Sequence, residues 1–158
     1  MVKILFVCLG NICRSAAAEA VMKQLVEKRG YEKSVFVDSA GIIGYHQGEP
    51  ADARMRRHAA ARGIDVTSIS RQVRGTDFDD FDLIIGMDNS NIDDLKDRAM
   101  TLEQEKKIHK MTEFCRKYQD DYVPDPYYGG AAGFELVLDL LDDSCTGLLE
   151  YLEQEGML

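Results

Sequence analysis

Three short apolar runs along the chain are typical of buried β-strands. They are KILFV at 3–7, VFVDSAG at 35–41 and FDLIIGMD at 81–88. The first is almost continuously apolar, which is the pattern of a strand covered on both faces of a parallel sheet. We therefore predict that these runs form the strands of a central sheet.

Helical patterns separate and follow these strands. Segment 15–30 predicts a helix with Ser15 as its N-cap and Gly30 as its C-terminal stop, and shorter helices are predicted at 51–63 and 89–99. A long amphipathic helix is predicted to close the chain at 134–156. Its apolar face consists of Phe134, Val137, Leu138, Leu141, Cys145, Leu148 and Leu152.

Two segments do not continue this alternation. Residues 101–122 fit no single hydrophobic period, so no element is assigned there, and the prolines and glycines of 122–130 predict a loop. Strands that alternate with helices predict an α/β fold, a doubly wound parallel sheet with helices on both faces. The length of 158 residues suits one domain, expected to span residues 1–158.

Composition and charge limit the partners. There are 28 acidic residues against 19 Lys and Arg, which gives a formal net charge of −9. Such a charge argues against nucleic acid or an anionic membrane as the main partner. No apolar run reaches the length of a membrane span. The apolar stretch at the N-terminus is too short for a signal peptide, so we expect a cytoplasmic protein.

Candidate chemistry is concentrated in VCLGNICRS, residues 7–15. Ligands of doubly wound sheets bind in loops that follow strands and lead into helices, and this loop follows the first predicted strand. Zinc is disfavoured because Cys8 and Cys13 are spaced poorly for a metal and no second close pair exists. Cys115 and Cys145 are too scattered for a disulfide scaffold, so reduced thiols are expected.

Anion chemistry explains the loop best. Backbone N–H groups at a helix N-terminus converge on one point, and Gly10 is expected to supply the unusual backbone angles that such a nest needs. Arg14 offers a planar fork that matches two phosphate oxygens. Cys8 lies at the base, where positive potential and a hydrogen bond from Ser15 favour the thiolate. A thiolate beside an anion site indicates group transfer from an oxyanion ester, most simply a phosphate.

The sequence resembles the low-molecular-weight protein tyrosine phosphatases. The resemblance rests on VCLGNICRS followed by AEAV, then DSAG, GMDNSN and DPYYGG, and it runs from residue 2 to the last helix. It implies a four-stranded, flavodoxin-like fold and hydrolysis of phosphotyrosine through a cysteinyl-phosphate. Cys8 would be the nucleophile, Arg14 would hold the phosphate, and Asp125 would be the general acid and base. No cofactor and no metal are implied.

The resemblance also implies roles for residues around the phosphate. Leu9, Gly10, Asn11, Ile12, Cys13 and Ser15 complete the phosphate-binding loop, and Ser39 supports Asn11. Leu9 and Ile12 would line the pocket, and the substrate ring would lie between Tyr45 and Tyr127, with Tyr128 as a further candidate. Cys13 would form a reversible disulfide with Cys8 that protects the nucleophile. Several relatives have histidine where Ser68 stands, so the support of Asn11 must be made differently or be weaker here.

Rival functions of the same fold are also considered. The related bacterial arginine phosphatases have threonine where Ile12 stands and usually DPF in place of DPYY. An arsenate reductase would need further redox cysteines between Cys13 and Cys115, and none is present. A non-catalytic phosphate-binding module would not need both Cys8 and Asp125. We therefore expect a phosphotyrosine protein or peptide as substrate, inorganic phosphate as product, and a monomer.

Overall fold

The central sheet of the computed structural model is parallel throughout. Among the residues that the structure describes, 1–127 and 129–158, four strands form this sheet in the order β2-β1-β3-β4. The strands are β1 Val2–Cys8, β2 Val35–Gly41, β3 Leu83–Gly86 and β4 Ile108–Lys110. The prediction of a doubly wound, four-stranded α/β fold is confirmed.

Helices connect the strands and cover both faces of the sheet. In chain order they are α1 Arg14–Lys28, α2 Ala53–Ala60, α3 Asp77–Asp80, α4 Asn89–Arg98, α5 Leu102–Glu105, a 3-10 helix Met111–Phe114, and α6 Ala131–Gln154. The chain between α5 and α6 contains β4 and the 3-10 helix, in the region where the hydrophobic period predicted no element. These elements are only three or four residues long, so their pattern is too short to detect.

Alternate residues of β1 are buried in two separate cores. Ile4 and Phe6 pack into the larger core, which includes the apolar faces of α1 and α6. Leu5 and Val7 pack into the smaller core on the opposite face, with Phe78 as one of its members. The strand is therefore buried on both faces, as its near-continuous apolar sequence predicts. All residues of the predicted apolar face of α6 are buried.

The topology places the carboxyl end of β1 at a switch point. The connection through α1 leads to β2 on one side of β1, and β3 pairs with the other side of β1. Loops at such a point diverge and leave a crevice at the end of the strands. Residues 8–15 occupy this position, where Cys8 is paired with Gly41.

Candidate active site

The loop of residues 8–15 joins the last residue of β1 to the first turn of α1. Cys8 ends the strand and Arg14 begins the helix. The N-cap is Cys13, and no side chain makes the capping hydrogen bond. The prediction that Ser15 is the N-cap is therefore wrong, because the helix begins two residues earlier and the Ser15 hydroxyl is used elsewhere.

The unusual backbone conformation of this loop lies at Asn11. Asn11 has φ of 57°, whereas Gly10 is not among the residues with positive φ. The expectation that Gly10 supplies the left-handed angle is therefore wrong. Asparagine tolerates this region better than most residues. Gly10 matters instead for space, since a Cβ there would lie 3.1 Å from Cδ2 of His46.

The Cys8 sulfur lies within hydrogen-bonding distance of Ser15, at the start of α1. Sγ of Cys8 lies 3.0 Å from Oγ of Ser15 and 3.4 Å from the Ser15 backbone nitrogen. The residue is almost fully buried, at 3% exposure. Hydrogen bonds to sulfur at a helix N-terminus stabilise the negative charge of a thiolate.

Asn11 holds the Ser15 hydroxyl from the other side. Its Nδ2 donates to Oγ of Ser15 at 2.8 Å and to Oγ of Ser39 at 2.9 Å, while its Oδ1 accepts from the backbone N–H of Arg71 at 3.1 Å. Ser39 donates in turn to Oε1 of Glu19 at 2.7 Å. We call Asn11, Ser15, Ser39 and Glu19 the serine–asparagine network.

The direction of these hydrogen bonds follows from the donors available. The Arg71 N–H can only donate, so it fixes which end of the Asn11 amide carries the two hydrogens. Both hydrogens are then used, and the Ser15 oxygen accepts one of them. The single hydrogen of the Ser15 hydroxyl is therefore left to point at Sγ of Cys8. Glu19, a buried carboxylate, acts as the acceptor at the far end of the network.

Ser68 takes no part in this network. Its Oγ is buried and makes no hydrogen bond with the part of the chain that the structure describes. Other residues support the loop. The Arg71 N–H holds the Asn11 side chain, and Oγ of Ser70 donates to the carbonyl oxygen of Gly10 at 3.0 Å.

The Arg14 guanidinium is buried and oriented by two acceptors. Its Nη1 lies 2.6 Å from Oδ2 of Asp88 and 3.0 Å from the carbonyl oxygen of Val123. Burial would lower the pKa of Arg14, but the negative groups around it, Cys8 first and then Asp88 and Asp125, raise it above its ordinary value. The side chain is therefore held charged and in one orientation beside Cys8.

Asp125 lies at the mouth of the same site. Its Oδ2 is 3.7 Å from Nη2 of Arg14, and its Oδ1 accepts from the backbone N–H of Tyr127 at 3.0 Å. The side chain is 39% exposed, whereas that of Arg14 is 3% exposed. The carboxyl is thus positioned by its own loop, yet it remains open to the space above the thiol.

These groups surround one pocket of about 320 Å³. Its lining includes almost all of the predicted catalytic and substrate residues, together with Ile43 and His46, which sequence reasoning missed. The predicted residues in the lining are Cys8, Leu9, Gly10, Ile12, Cys13, Arg14, Tyr45, Asp125 and Tyr127. Asn11, Ser15 and Ser39 lie beneath it in the serine–asparagine network. Tyr128 lies outside the described residues.

Cys13 also lines the pocket but differs from Cys8 in its environment. Burial, reinforced by the carboxylate of Asp52, raises the pKa of the Cys13 thiol well above its ordinary value. Both cysteines are free thiols. A disulfide between them stays a prediction.

Three charged residues that support the site from outside the pocket lining were not assigned roles from the sequence. Asp88 binds Arg14, Glu19 accepts the hydrogen bond from Ser39, and the backbone N–H of Arg71 holds the Asn11 side chain. Asp88 follows β3, the neighbour of β1, so its position at the same edge of the sheet was a usable signal. No comparable signal indicates Glu19 or Arg71, because their partners are distant in sequence.

The described residues were also searched for metal sites and membrane spans. Within 1–127 and 129–158, no three His, Cys, Asp or Glu side chains are grouped so that they could hold a metal ion. In the same residues, no helix combines the length and apolar character needed to cross a bilayer.

The fold and the pocket together are typical of phosphatases that use a cysteine. Comparison with known proteins identifies the family. The family described as low molecular weight phosphotyrosine protein phosphatase matches residues 3–158. A low molecular weight protein-tyrosine-phosphatase of Bacillus subtilis is 40% identical over 159 residues, covering all of both chains. The chain belongs to the low molecular weight phosphotyrosine protein phosphatase family.

Solved structures agree with this assignment. A protein tyrosine phosphatase from Entamoeba histolytica, crystallised with Hepes in its active site, matches with a TM-score of 0.96 and 49% identity over the whole of both chains. A Drosophila arginine phosphatase matches with a TM-score of 0.88 and 35% identity, covering 94% of this chain and 96% of the other. The same fold thus occurs in a protein named as an arginine phosphatase.

Proposed function

We propose that this protein hydrolyses phosphotyrosine in proteins or peptides, with release of inorganic phosphate. The observation that carries the proposal is that a thiol, a buried guanidinium and an open carboxyl line one pocket, as Cys8, Arg14 and Asp125. Membership of the phosphotyrosine phosphatase family supports the same reaction. A phosphoprotein substrate and a phosphate product follow from that membership.

In the first step, Sγ of Cys8 attacks phosphorus in line with the leaving oxygen. The S–P bond forms as the bond from phosphorus to the phenolic oxygen breaks, and Asp125 gives its proton to that oxygen. The loop N–H groups and Arg14 hold the equatorial oxygens as their charge develops. The Arg14 fork suits this role because Asp88 and Val123 already fix its orientation.

In the second step, water hydrolyses the cysteinyl-phosphate. Asp125, now a carboxylate, accepts a proton from the attacking water, and the S–P bond breaks with Cys8 leaving as a thiolate. The Ser15 hydroxyl hydrogen, directed at Sγ, stabilises that leaving group as it stabilised the nucleophile. Cys8 and Asp125 thus return to their starting protonation states after each turnover, and neither step requires a metal.

The shape of the pocket supports an aromatic phosphate ester. Tyr45 and Tyr127 line it together with Leu9 and Ile12 of the phosphate-binding loop. A phosphate at the far end of a phenyl ring reaches the buried Cys8, whereas one on a short serine side chain is held further from it. Phosphotyrosine is therefore favoured over phosphoserine.

The proposal is tested by phosphate release from a phosphotyrosine peptide in EDTA and reductant, with Cys8→Ser as the blank. We expect release by the wild type and none by Cys8→Ser. Asp125→Asn, which keeps the size of the side chain, is expected to lower turnover by roughly 10²- to 10⁴-fold, the usual contribution of a general acid. Normal turnover by Asp125→Asn would remove that residue from its role.

Phosphoarginine is the second candidate, because the Drosophila arginine phosphatase shares the fold at 35% identity. Ile12 and Tyr127 favour phosphotyrosine. The same assay with a phosphoarginine peptide decides between them, since a higher kcat/KM for that peptide would reverse the order. An arsenate reductase is not favoured, because Cys8 and Cys13 are the cysteines that line the pocket. The cytoplasmic location and the monomeric state stay predictions.

A further inference from the structure

Arg54, in the first turn of α2, is anchored to the phosphate-binding loop through Asp52. Its Nε lies 3.2 Å from Oδ1 of Asp52 and its Nη2 lies 3.0 Å from Oδ2, so the two side chains form a two-pronged ion pair. Asp52 also caps α2, and its backbone N–H donates to the carbonyl oxygen of Ile12 at 2.9 Å. The guanidinium is therefore fixed relative to the loop that holds the substrate phosphate.

Two aromatic rings lie against this guanidinium. Its Cζ is 5.3 Å from the ring centroid of Tyr127 and 5.0 Å from that of Phe134. Phe134 is buried near the start of α6, at 1% exposure, and so provides a rigid second surface. Contacts of a cation with ring faces at these distances are attractive. Arg54 thus joins α2, α6 and the loop that carries Asp125.

Tyr127 transmits this contact to the general acid. Its backbone N–H donates to Oδ1 of Asp125 at 3.0 Å, and the other carboxyl oxygen faces Arg14. We propose that Arg54 is a positioning residue that holds Tyr127, and through it Asp125, in place over the Cys8 thiol. The proposal rests on the function proposed above, because it concerns the acid of that reaction.

The proposal predicts a loss that depends on the leaving group. Proton donation matters most when the leaving phenol is a poor leaving group, and it matters little for nitrophenol. In the described chain, the hydrogen bonds of the Arg54 side chain go to Asp52, which in turn binds the loop through the carbonyl oxygen of Ile12. Loss of Arg54 is therefore expected to reduce kcat/KM for phenyl phosphate far more than for p-nitrophenyl phosphate.

The test compares Arg54→Met with Arg57→Met, an exposed arginine of the same helix for which no ion pair is found in the described chain. Both variants remove one positive charge from α2. For Arg54→Met we expect kcat/KM for phenyl phosphate to fall by about 3- to 30-fold, the range for a cation–ring contact. With p-nitrophenyl phosphate the fall should be under about 3-fold. Arg57→Met should match the wild type.

Two further measurements separate positioning from damage to the fold. Competitive inhibition by inorganic phosphate should change by less than about 2-fold in Arg54→Met, because Cys8 and Arg14 keep their places. In a Tyr127→Leu background, the same substitution should add less than about 2-fold, because the ring through which it acts is absent. Arg54→Lys, which keeps the charge and not the fork, provides a second variant if Arg54→Met folds poorly, and it should show an intermediate loss.

The proposal would be overturned if Arg54→Met lowered kcat/KM equally for both substrates. It would also be overturned if the fold-loss of the double variant equalled the product of the losses of Arg54→Met and Tyr127→Leu. Activity of Arg54→Met equal to that of Arg57→Met would likewise overturn it. Failure of the proposed function is a separate result, since it would appear as no Cys8-dependent release of phosphate from the phosphotyrosine peptide by the wild type.

Discussion

The hydrogen bond from Ser15 to the Cys8 sulfur can be tested by Ser15→Ala. The serine–asparagine network leaves the Ser15 hydroxyl as a donor to Sγ at 3.0 Å. A hydrogen bond to a charged group contributes about 1.5–3 kcal/mol, which corresponds to about 10- to 150-fold in an equilibrium constant. The Ser15 backbone N–H, at 3.4 Å, is retained in the variant, so we expect the lower part of that range.

The assay is alkylation of Cys8 by iodoacetate across a range of pH. At the acidic end of the range, where alkylation depends on how well the thiolate is stabilised, Ser15→Ala should react about 10-fold more slowly than the wild type. At high pH, where the thiol is fully ionised in both proteins, the two rates should converge. Such convergence shows that access to the pocket has not changed.

A buried helical serine outside the site provides the control. Ser144 is fully buried in α6 and donates to the carbonyl oxygen of Leu140 at 2.7 Å, so Ser144→Ala removes a comparable hydroxyl without touching the network. It should alkylate at the wild-type rate at every pH. Alkylation of Ser15→Ala at the wild-type rate at the acidic end of the range would refute the inferred direction of the hydrogen bond.

Two other predictions concern stability and oxidation. Burial would raise the pKa of Asp143, but hydrogen bonds from the backbone N–H groups of residues 116–118 hold the pKa below its ordinary value of 3.8. The Asp143 carboxylate therefore stabilises the fold at pH values above 3.8. This stabilisation is lost as the pH falls through the folded-state pKa. Asp143→Asn should lower the Tm by about 3–10 °C at pH 7, and the difference should shrink towards pH 3; an unchanged Tm at pH 7 would contradict it. For Cys13, peroxide inactivation should be reversed fully by thiol in the wild type and incompletely in Cys13→Ala, whereas equal recovery would rule out a protecting disulfide with Cys8.

The strands and long helices could be predicted because their patterns are long enough to repeat. The predicted segment 35–41 coincides with β2, and all residues assigned to the apolar face of α6 are buried. The short elements could not be found in this way. β4 has three half-buried residues at the edge of the sheet, so it has neither a continuous apolar run nor a clean alternation.

The site shows a similar division between local and distant information. Cys8 and Arg14 belong to one loop, so the strand before it and the helix after it were sufficient to place them together. Glu19 and Ser39 are 20 positions apart, and their contact depends on how α1 crosses β2. The wrong assignments, Ser15 as N-cap and Gly10 as the left-handed residue, came from residue preferences that the loop geometry overrides.

The balance of charge predicts how peptide substrates respond to salt. The arginines at the site are paired with carboxylates, Arg14 with Asp88 and Arg54 with Asp52, so they add little net charge to a protein of −9. An acidic phosphopeptide should therefore be repelled at low ionic strength. Raising salt from about 10 to 150 mM shortens the screening length from about 30 to 8 Å and should increase its kcat/KM relative to that of a neutral phosphopeptide. A decrease would show that α2, with Arg56 and Arg57 exposed, attracts acidic substrates locally despite the net charge.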